Sequence, residues 1–228
     1  MAAAFLTAEW RHLVLFNFAV DPALLSPIVP HGTELDAPAH VSLVGFRFEK
    51  TRVLGLPVPF HRDFDEINLR FYVRSRMPEG WRRGVVFVRE VVAKRAIAIA
   101  ARAIYNEPYV TRPTRSKVDS DGATYAFENE TSWLSLGAHH DEPPSWDDHI
   151  EAMTENLWGY TRQRDGGTIE YAVEHPRWTV WRASRFELAG DFARFYGDAF
   201  GAVLSSAPRS VLVADGSPVV VRRGERVG

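Results

Sequence analysis

The sequence predicts an α+β fold built mostly on antiparallel strands, with the sheet curved or barrel-like. Three observations carry that prediction. Runs rich in Val, Ile, Phe and Tyr recur along the 228 residues, several with apolar–polar alternation. Turn signals separate neighbouring runs, above all Asp165-Gly166-Gly167. Only a few stretches carry helix-capping residues, so helices are interposed between strands instead of alternating with them.

Residues 12–20 (HLVLFNFAV) are β-rich and nearly all apolar, which reads as a buried strand. Asp21 caps a short helix over DPALLSPIVP with Pro22 at its first position, and Pro27 and Pro30 end it. Strands are expected next at 41–49 (VSLVGFRFE) and 66–74 (EINLRFYVR). In the second, Ile67, Leu69, Phe71 and Val73 share one face. Glu66, Asn68, Arg70, Tyr72 and Arg74 share the other. A charged connector, 61–65, precedes it. Pro78, Gly80 and Gly84 frame a turn, with 85–88 as the hairpin return.

Residues 90–105 (EVVAKRAIAIAARAIY) suit two readings. The Ala–Ile alternation at 96–100 fits a strand. Six alanines would pack poorly there, so a helix is expected, stopped by Pro108. Residues 112–122 read as a polar loop, with strands after it at 124–130 and 132–138. Ser145 is a natural cap for a helix running to about Leu157, with Asp147 and Asp148 in its first turn. The Asp165-Gly166-Gly167 turn joins strands at 157–164 and 168–173. One strand is expected over 179–188, a helix from Asp191 to about Leu204, and a closing hairpin over 210–221 around Asp215-Gly216. No repeat, low-complexity tract or linker marks a boundary, so residues 1–228 are expected to form a single domain.

Composition excludes several functions. Apolar residues make up 46% and charged residues 25%, an ordinary globular balance. A net charge of -2 supplies no basic field for a polyanion, so no nucleic-acid partner is expected. With no cysteine there is no disulfide, no thiolate metal site and no cysteine nucleophile. Residues 1–6 have no basic flank, and Glu9, Arg11 and His12 interrupt the apolar run beyond them, so no leader is expected. No window approaches the roughly 18 apolar residues of a spanning helix. The expected location is the cytoplasm, with no membrane partner. Seven Trp, seven Tyr and fourteen Phe fit a large sheet core, or a cavity lined for an apolar ligand.

Common catalytic motifs are missing: no G-x-x-x-x-G-K-[ST], no G-x-G-x-x-G after a strand, no G-x-S-x-G. His139 and His140 are adjacent, so on a strand they point to opposite faces and make poor co-ligands. No metal or cofactor is expected. Three constellations remain. The polar face of Glu66, Asn68, Arg70 and Tyr72 is an ordinary outer face if it meets water. If it faces inward, it is a pocket floor with a carboxylate, an amide and a guanidinium for a small oxygenated ligand. Glu90 and Lys94, with Arg102, Tyr105, Glu107 and Tyr109, form the second. On a helix Glu90 and Lys94 are a surface pair; with Lys94 buried, its lowered pKa would allow an imine. The third is His175-Pro176-Arg177-Trp178 at a strand junction, where the histidine is a structural hydrogen-bonder or a general base.

The stretches VSLVGFRFEKTRVLGLPVP, FDEINLRFYVR, RRGVVFVREVVAKRAIAIAARAIYNEPY, WGYT and YAVEHPRWTVW occur in this order. As a set they resemble the YqjF-like family of uncharacterised bacterial proteins, domain of unknown function 2071, over roughly residues 8–222. The resemblance implies an acetoacetate decarboxylase-like fold, a curved antiparallel structure closing around a small-molecule pocket, and turns Glu66 and Arg70 inward. Glu66 in FDEIN is similar to a pocket-shaping carboxylate of the decarboxylases. Their Schiff-base lysine lies in a G-R-E-x-x-G-x-P-K-K-like run. The similar run here, 101–110, keeps Arg102 and Pro108 but has Tyr109 and Val110 in place of the lysine pair. A tyrosine cannot form an imine, and Lys94 lies about four helical turns away. Asn156-Leu157 stands before WGY where the family pattern has His-Tyr.

That resemblance implies one of two functions. One is a lyase, hydratase or isomerase lacking the imine lysine, with Glu66, Arg102 and Tyr105 as catalytic candidates. The other is a binding or sensing module using the same pocket. In either, Asn68, Arg70, Tyr72, Tyr109, Trp158, Tyr160, His175 and Trp178 are the ligand-binding candidates, and the partner is a small molecule.

Overall fold

A computed structural model describes residues 3–57, 60–95 and 106–227. The chain opens with β1 (Ala4–Ala19), helix α1 (Pro22–Leu25) and a 3-10 turn at Ser26–Ile28. Then come β2 (Glu34–Leu35), β3 (His40–Val53), β4 (Leu56–Pro57), β5 (Phe64–Met77) and β6 (Gly80–Val92). After them run β7 (Tyr109–Thr111), β8 (Thr114–Asp119), β9 (Gly122–Glu128), β10 (Trp133–His139) and helix α2 (Asp148–Thr154). The rest comprises β11 (Trp158–Arg162), β12 (Thr168–Glu174), β13 (Val180–Arg182), β14 (Arg185–Gly190), helices α3 (Phe192–Tyr196) and α4 (Asp198–Leu204), β15 (Ser210–Arg222) and β16 (Glu225–Val227). No helix among the described residues is long and apolar enough to cross a membrane.

The larger sheet runs β15-β1-β3-β5-β6-β11-β12, and β12 pairs back onto β15 through Val173–Val221 and Glu174–Val220. Those strands therefore close into a barrel. Every joint in the ring is antiparallel except β6–β11, which meets in parallel at Val85–Gly159. A second sheet, β14-β10-β9-β8, packs against one outer wall.

Closure gives each long strand two buried faces. On β5, Ile67, Leu69, Phe71 and Val73 point outward into a core shared with Tyr125 and Phe127 of β9, Leu134 and Leu136 of β10, and Phe192 and Phe195 of α3. The inner core holds Leu13, Leu15, Val44, Phe46, Phe64, Val85 and Trp178. Each fully buried Phe, such as Phe16 or Phe71, contributes about 1.5–3 kcal/mol relative to exposure. That outer core explains why β1, β3 and β5 are apolar on alternate positions and yet have no solvent face.

Several expectations change. Residues 112–122 are not a loop: 114–119 form β8, an edge strand whose alternating polar side chains meet solvent. Ser145 does not cap α2; Asp147 does, accepting from the Ile150 N–H at 2.8 Å. The run 179–188 is two strands in different sheets, β13 on β15 and β14 on β10, because the chain crosses between sheets at 183–184. The helix from Asp191 breaks at Gly197, whose φ of +88° lies in the left-handed region. No hairpin forms at Asp215-Gly216. Gly216 stays in β15 at φ +79°, where an added Cβ would lie 2.0 Å from the Trp10 carbonyl oxygen. Asp215 binds the loop at Thr179 instead, accepting its N–H at 2.9 Å. Glu90–Val92 finish β6, paired with Asn68–Glu66, so the expected helix does not start at Glu90. Residues 96–105 of that helix lie outside the described residues.

Gly45 sets how closely the two sheets approach. An added Cβ there would sit 2.6 Å from the Tyr125 ring, and the Tyr125 hydroxyl donates to the His12 carbonyl at 2.8 Å. Gly45→Val is expected to lower unfolding free energy by about 1–3 kcal/mol through overpacking. Urea denaturation at pH 7 checks this, and an unchanged midpoint would mean the sheets have room to part.

Candidate functional site

The barrel interior encloses a cavity of about 420 Å³. Side-chain parity explains its position. Residues two apart on one strand share a face, so β3 sends in Val44, Phe46 and Phe48, and β5 sends in Glu66, Asn68 and Arg70. On β6, Val85 and Phe87 face inward, and unbroken alternation would then bring in Arg89. A bulge intervenes: Leu69 pairs with Arg89, but Arg70 pairs with Phe87, leaving Val88 unpaired. Parity flips there, and Glu90 turns inward opposite Asn68. A second irregularity, where His12 sits at φ 57°, does the same on β1 and lets both Trp10 and Leu13 line the cavity.

Most of the wall is aromatic. Trp10 meets Phe46 and Trp178 edge-on at 5.5 and 6.4 Å, and His175 stacks on Trp178 at 4.6 Å. Phe48 stacks on Phe64 at 4.6 Å. The floor is acidic. Glu66, Glu90 and Glu107 are all buried and all line the same space. Glu66 accepts from Asn68 Nδ2 and from the Tyr109 hydroxyl, both at 2.9 Å. Glu107 Oε1 accepts from Tyr171 at 2.8 Å and from the Thr161 hydroxyl. Tyr109 reaches the floor because β7 runs parallel to β6 with Tyr109 beside Glu90. Arg70 Nη2 donates to the Met153 carbonyl at 3.3 Å. That carbonyl also lies 3.4 Å from the Tyr72 hydroxyl, itself 2.6 Å from Ser42 Oγ, which donates to Asn17 Oδ1. This buried chain fixes the guanidinium at the cavity edge.

Burial sets the protonation of the floor. It raises the Glu66 carboxyl to about 7, against the opposing pull of Asn68, Tyr109 and the Arg70 charge. It raises Glu107 to about 7 against hydrogen bonds from Thr161 and Tyr171. Glu90 is pushed well above the ordinary carboxylate range, first by burial and then by the charges of Glu107 and Glu66. Tyr109 and Tyr171 are raised by burial and by these carboxyls, so both remain neutral donors near pH 7. His175 is lowered by burial and stays a neutral imidazole at that pH.

The structure brings Glu66, Asn68, Arg70, Tyr109, His175 and Trp178 to this cavity. Tyr72 does not line it. Its hydroxyl is taken up by Ser42, and it borders a second cavity of about 440 Å³ beside α2. Trp158 lies outside, with its ring 4.1 Å from the Arg82 guanidinium carbon. Tyr160 is packed in the outer core. Arg102 and Tyr105 lie outside the described residues. His139 binds Asp121 at 3.3 Å, and His140 stacks on Trp181 at 4.3 Å. Among the described residues no group of acidic and histidine side chains is arranged to hold a metal.

Glu90 is not half of a surface pair with Lys94: it is 2% exposed and faces the cavity. The sequence contains three lysines, Lys50, Lys94 and Lys117, and none lines the cavity. Sequence reasoning missed the inward face of Glu90 and the places of Tyr171 and Asn156 in the cavity lining. The bulge that turns Glu90 is a property of the β5–β6 register, and no residue in VVFVREVV announces it.

Known proteins share this fold. The family DUF2071, described as an uncharacterized conserved protein, matches residues 7–218. No curated protein matches the chain. Among solved structures, acetoacetate decarboxylase from Legionella pneumophila is similar at 15% identity, with a TM-score of 0.72 over 99% of this chain and 88% of that one. The enduracididine biosynthesis enzyme MppR complexed with pyruvate is similar at 15% identity and TM-score 0.71, over 100% of this chain and 91% of its own. An acetoacetate decarboxylase-like enzyme from Sphingomonas wittichii RW1 reaches 0.70 at 10% identity, over 99% and 94%. The fold is thus that of the acetoacetate decarboxylase-like proteins.

The buried carboxyls make stability depend on pH. Glu66 and Glu107 hold a proton more tightly folded than unfolded, so ionising them penalises the folded state. The sign is fixed: their contribution is intact below about pH 4.5 and is lost as pH rises through about 7. Unfolding free energy is expected to fall between pH 5 and 8, by on the order of 2–3 kcal/mol per group. Glu90→Gln should flatten the fall and raise the melting temperature at pH 8. Denaturation across that pH range tests it; a rise in stability over the interval contradicts it.

Proposed function

The chain belongs to the domain of unknown function 2071 family, and from that premise we propose an enzyme of lyase, hydratase or isomerase type. It moves protons with carboxyl groups and forms no imine on lysine. One observation carries the reading: three buried carboxyls with raised proton affinity share one cavity floor, and no lysine reaches it.

A step open to all three reaction types is proton transfer at carbon beside a carbonyl, and the floor is suited to it. Glu66, near pH 7 in its proton affinity, takes the proton. The electron pair moves onto the carbonyl oxygen, which the Arg70 guanidinium holds. Glu90, whose hold on a proton is strengthened by burial and by the charges of Glu107 and Glu66, returns a proton at another atom of the substrate. Tyr109 keeps the Glu66 carboxyl oriented. Arg102 as a second anion holder and Tyr105 as a ligand-orienting hydroxyl complete the assignment. MppR binds pyruvate, and a small carbonyl compound is the corresponding substrate class here. The aromatic wall favours a second reading, a binding module that grips an apolar molecule without chemistry.

Two measurements separate these. In D₂O with a panel of small ketones and keto acids, the wild type is expected to catalyse α-proton exchange seen by NMR. Glu66→Gln should slow it at least about 100-fold while the compound still binds. If no compound exchanges, or if Glu66→Gln alters affinity alone, the binding module stands. Borohydride with pyruvate or acetoacetate should leave no adduct; labelling at Lys94 would reinstate imine chemistry.

A further inference from the structure

We infer that the ligand of the barrel cavity carries a protonated nitrogen on a compact apolar body, an organic ammonium docked against Glu90 with Glu107 and Glu66 beside it. The inference rests on the preceding proposal that this cavity is the working site, and it names the chemistry of what enters.

Among the described residues, the unmatched polar atoms of the cavity wall are three carbonyl or carboxyl oxygens, on Glu90, Asn68 and Asn156, two N–H donors, on Arg70 and Trp10, and the Thr51 hydroxyl. Glu90 Oε2 and Asn68 Oδ1 are buried without a hydrogen-bond partner among the described residues, and both residues line the cavity. They are 2% and 1% exposed and face one another across β5 and β6. The Asn68 amide is engaged on its nitrogen side, with Nδ2 donating to Glu66 Oε1. Asn156 repeats the pattern: its Nδ2 donates to the Ala152 carbonyl, and its Oδ1 is left unmatched on the cavity wall. Asn68 Oδ1 and Asn156 Oδ1 are acceptors, and Glu90 Oε2 becomes one when an entering cation displaces its proton, so the three suit a ligand with several N–H donors. The unmatched donors, Arg70 Nε and Trp10 Nε1, suit an oxygen on the same molecule.

Charge points the same way. Among the described residues, those facing the cavity include the carboxyls Glu66, Glu90 and Glu107, the phenols Tyr109 and Tyr171, the imidazoles His61 and His175, and the guanidinium of Arg70. Three carboxyls in a low-dielectric space disfavour one another's ionisation, and Arg70 by itself does not balance them. An entering ammonium supplies positive charge that none of the three lysines provides. Trp10, Phe46, Phe48, Phe64, Phe87 and Trp178 then offer ring faces to the apolar body and to the cation. A carboxylate ligand would add a fourth anion to the same floor.

Binding of the cation displaces a proton from the floor, and this makes the inference measurable. Isothermal titration of the full chain with 2-phenylethylamine, 2-phenylethanol and 3-phenylpropionate compares cation, neutral donor and anion on one body. The amine is expected to bind at least about tenfold tighter than the alcohol. Its affinity should rise by up to about tenfold per pH unit between pH 6 and 7 and level off above pH 8. Heats in buffers of different ionisation enthalpy should show net proton release. Glu90→Gln should weaken the amine by about tenfold or more and leave the alcohol unchanged. Equal or tighter binding of the alcohol or carboxylate, affinity that falls with pH, or no binding of any of the three overturns the inference. If Glu90→Gln does not fold, the wild-type pH series and Glu107→Gln decide it. Amine binding without any proton-exchange activity removes the catalytic reading and leaves the ligand class standing. Exchange activity with carboxylates preferred over amines does the reverse.

Discussion

Val173 and Val221 pair across β12 and β15, and that contact closes the barrel. Closure is the constraint on which the rest depends. An open sheet would leave one face of β5 to solvent, and Glu66, Asn68 and Arg70 would be an ordinary polar stripe. Once the ring is shut, the same residues are enclosed at 8% exposure or less. Low dielectric then raises the proton affinity of the carboxyls, and hydrogen bonds within the wall decide which oxygens remain unmatched. The second sheet reinforces this arrangement from outside, because the apolar face of β5 is buried as well.

The acidic floor is an unfavourable feature for stability that the apolar remainder of the structure offsets. Nothing in folding favours placing Glu66, Glu90 and Glu107 around one cavity: each loses hydration and each disfavours ionisation of its neighbours. Packing alone would be better served by apolar side chains of similar volume. Such a cluster supports the proposed site, since perturbed carboxyls gather where a protein does chemistry. The two bulges support that view. Each bends a barrel strand where alternation would have placed a different side chain, and each delivers a cavity-lining residue, Glu90 on β6 and Leu13 on β1.

Arg70 illustrates how the surroundings hold the site. Its guanidinium is oriented through the Met153 carbonyl at the end of α2, and Tyr72, Ser42 and Asn17 extend that support across β5, β3 and β1. Tyr72 thus belongs to the layer behind the cavity. The two aromatics drawn from WGYT are similarly placed outside it, Trp158 under Arg82 and Tyr160 in the outer core. An aromatic-rich motif on a barrel strand packs outward as readily as inward.

Local residues alone determined the long strands, the Asp21-capped start of α1 and the Asp165-Gly166-Gly167 turn. Alternation over 66–74 also separated the two faces of β5, because the period of two depends only on the backbone. The three lysines and their absence from the Tyr109-Val110 position were legible too. Tertiary structure decided what those faces meet. Whether Glu66 looks at water or into a cavity depends on β12 reaching β15, about 150 residues further along. The inward turn of Glu90 depends on one unpaired residue in the β5–β6 register, and cross-strand pairing there extended β6 through Val92 against the local preference of an alanine-rich segment for helix. The split of 179–188 between two sheets and the unbroken course of β15 past Gly216 have the same origin. Pairing partners distant in the chain settle register and closure, and short-range pattern carries no information about them.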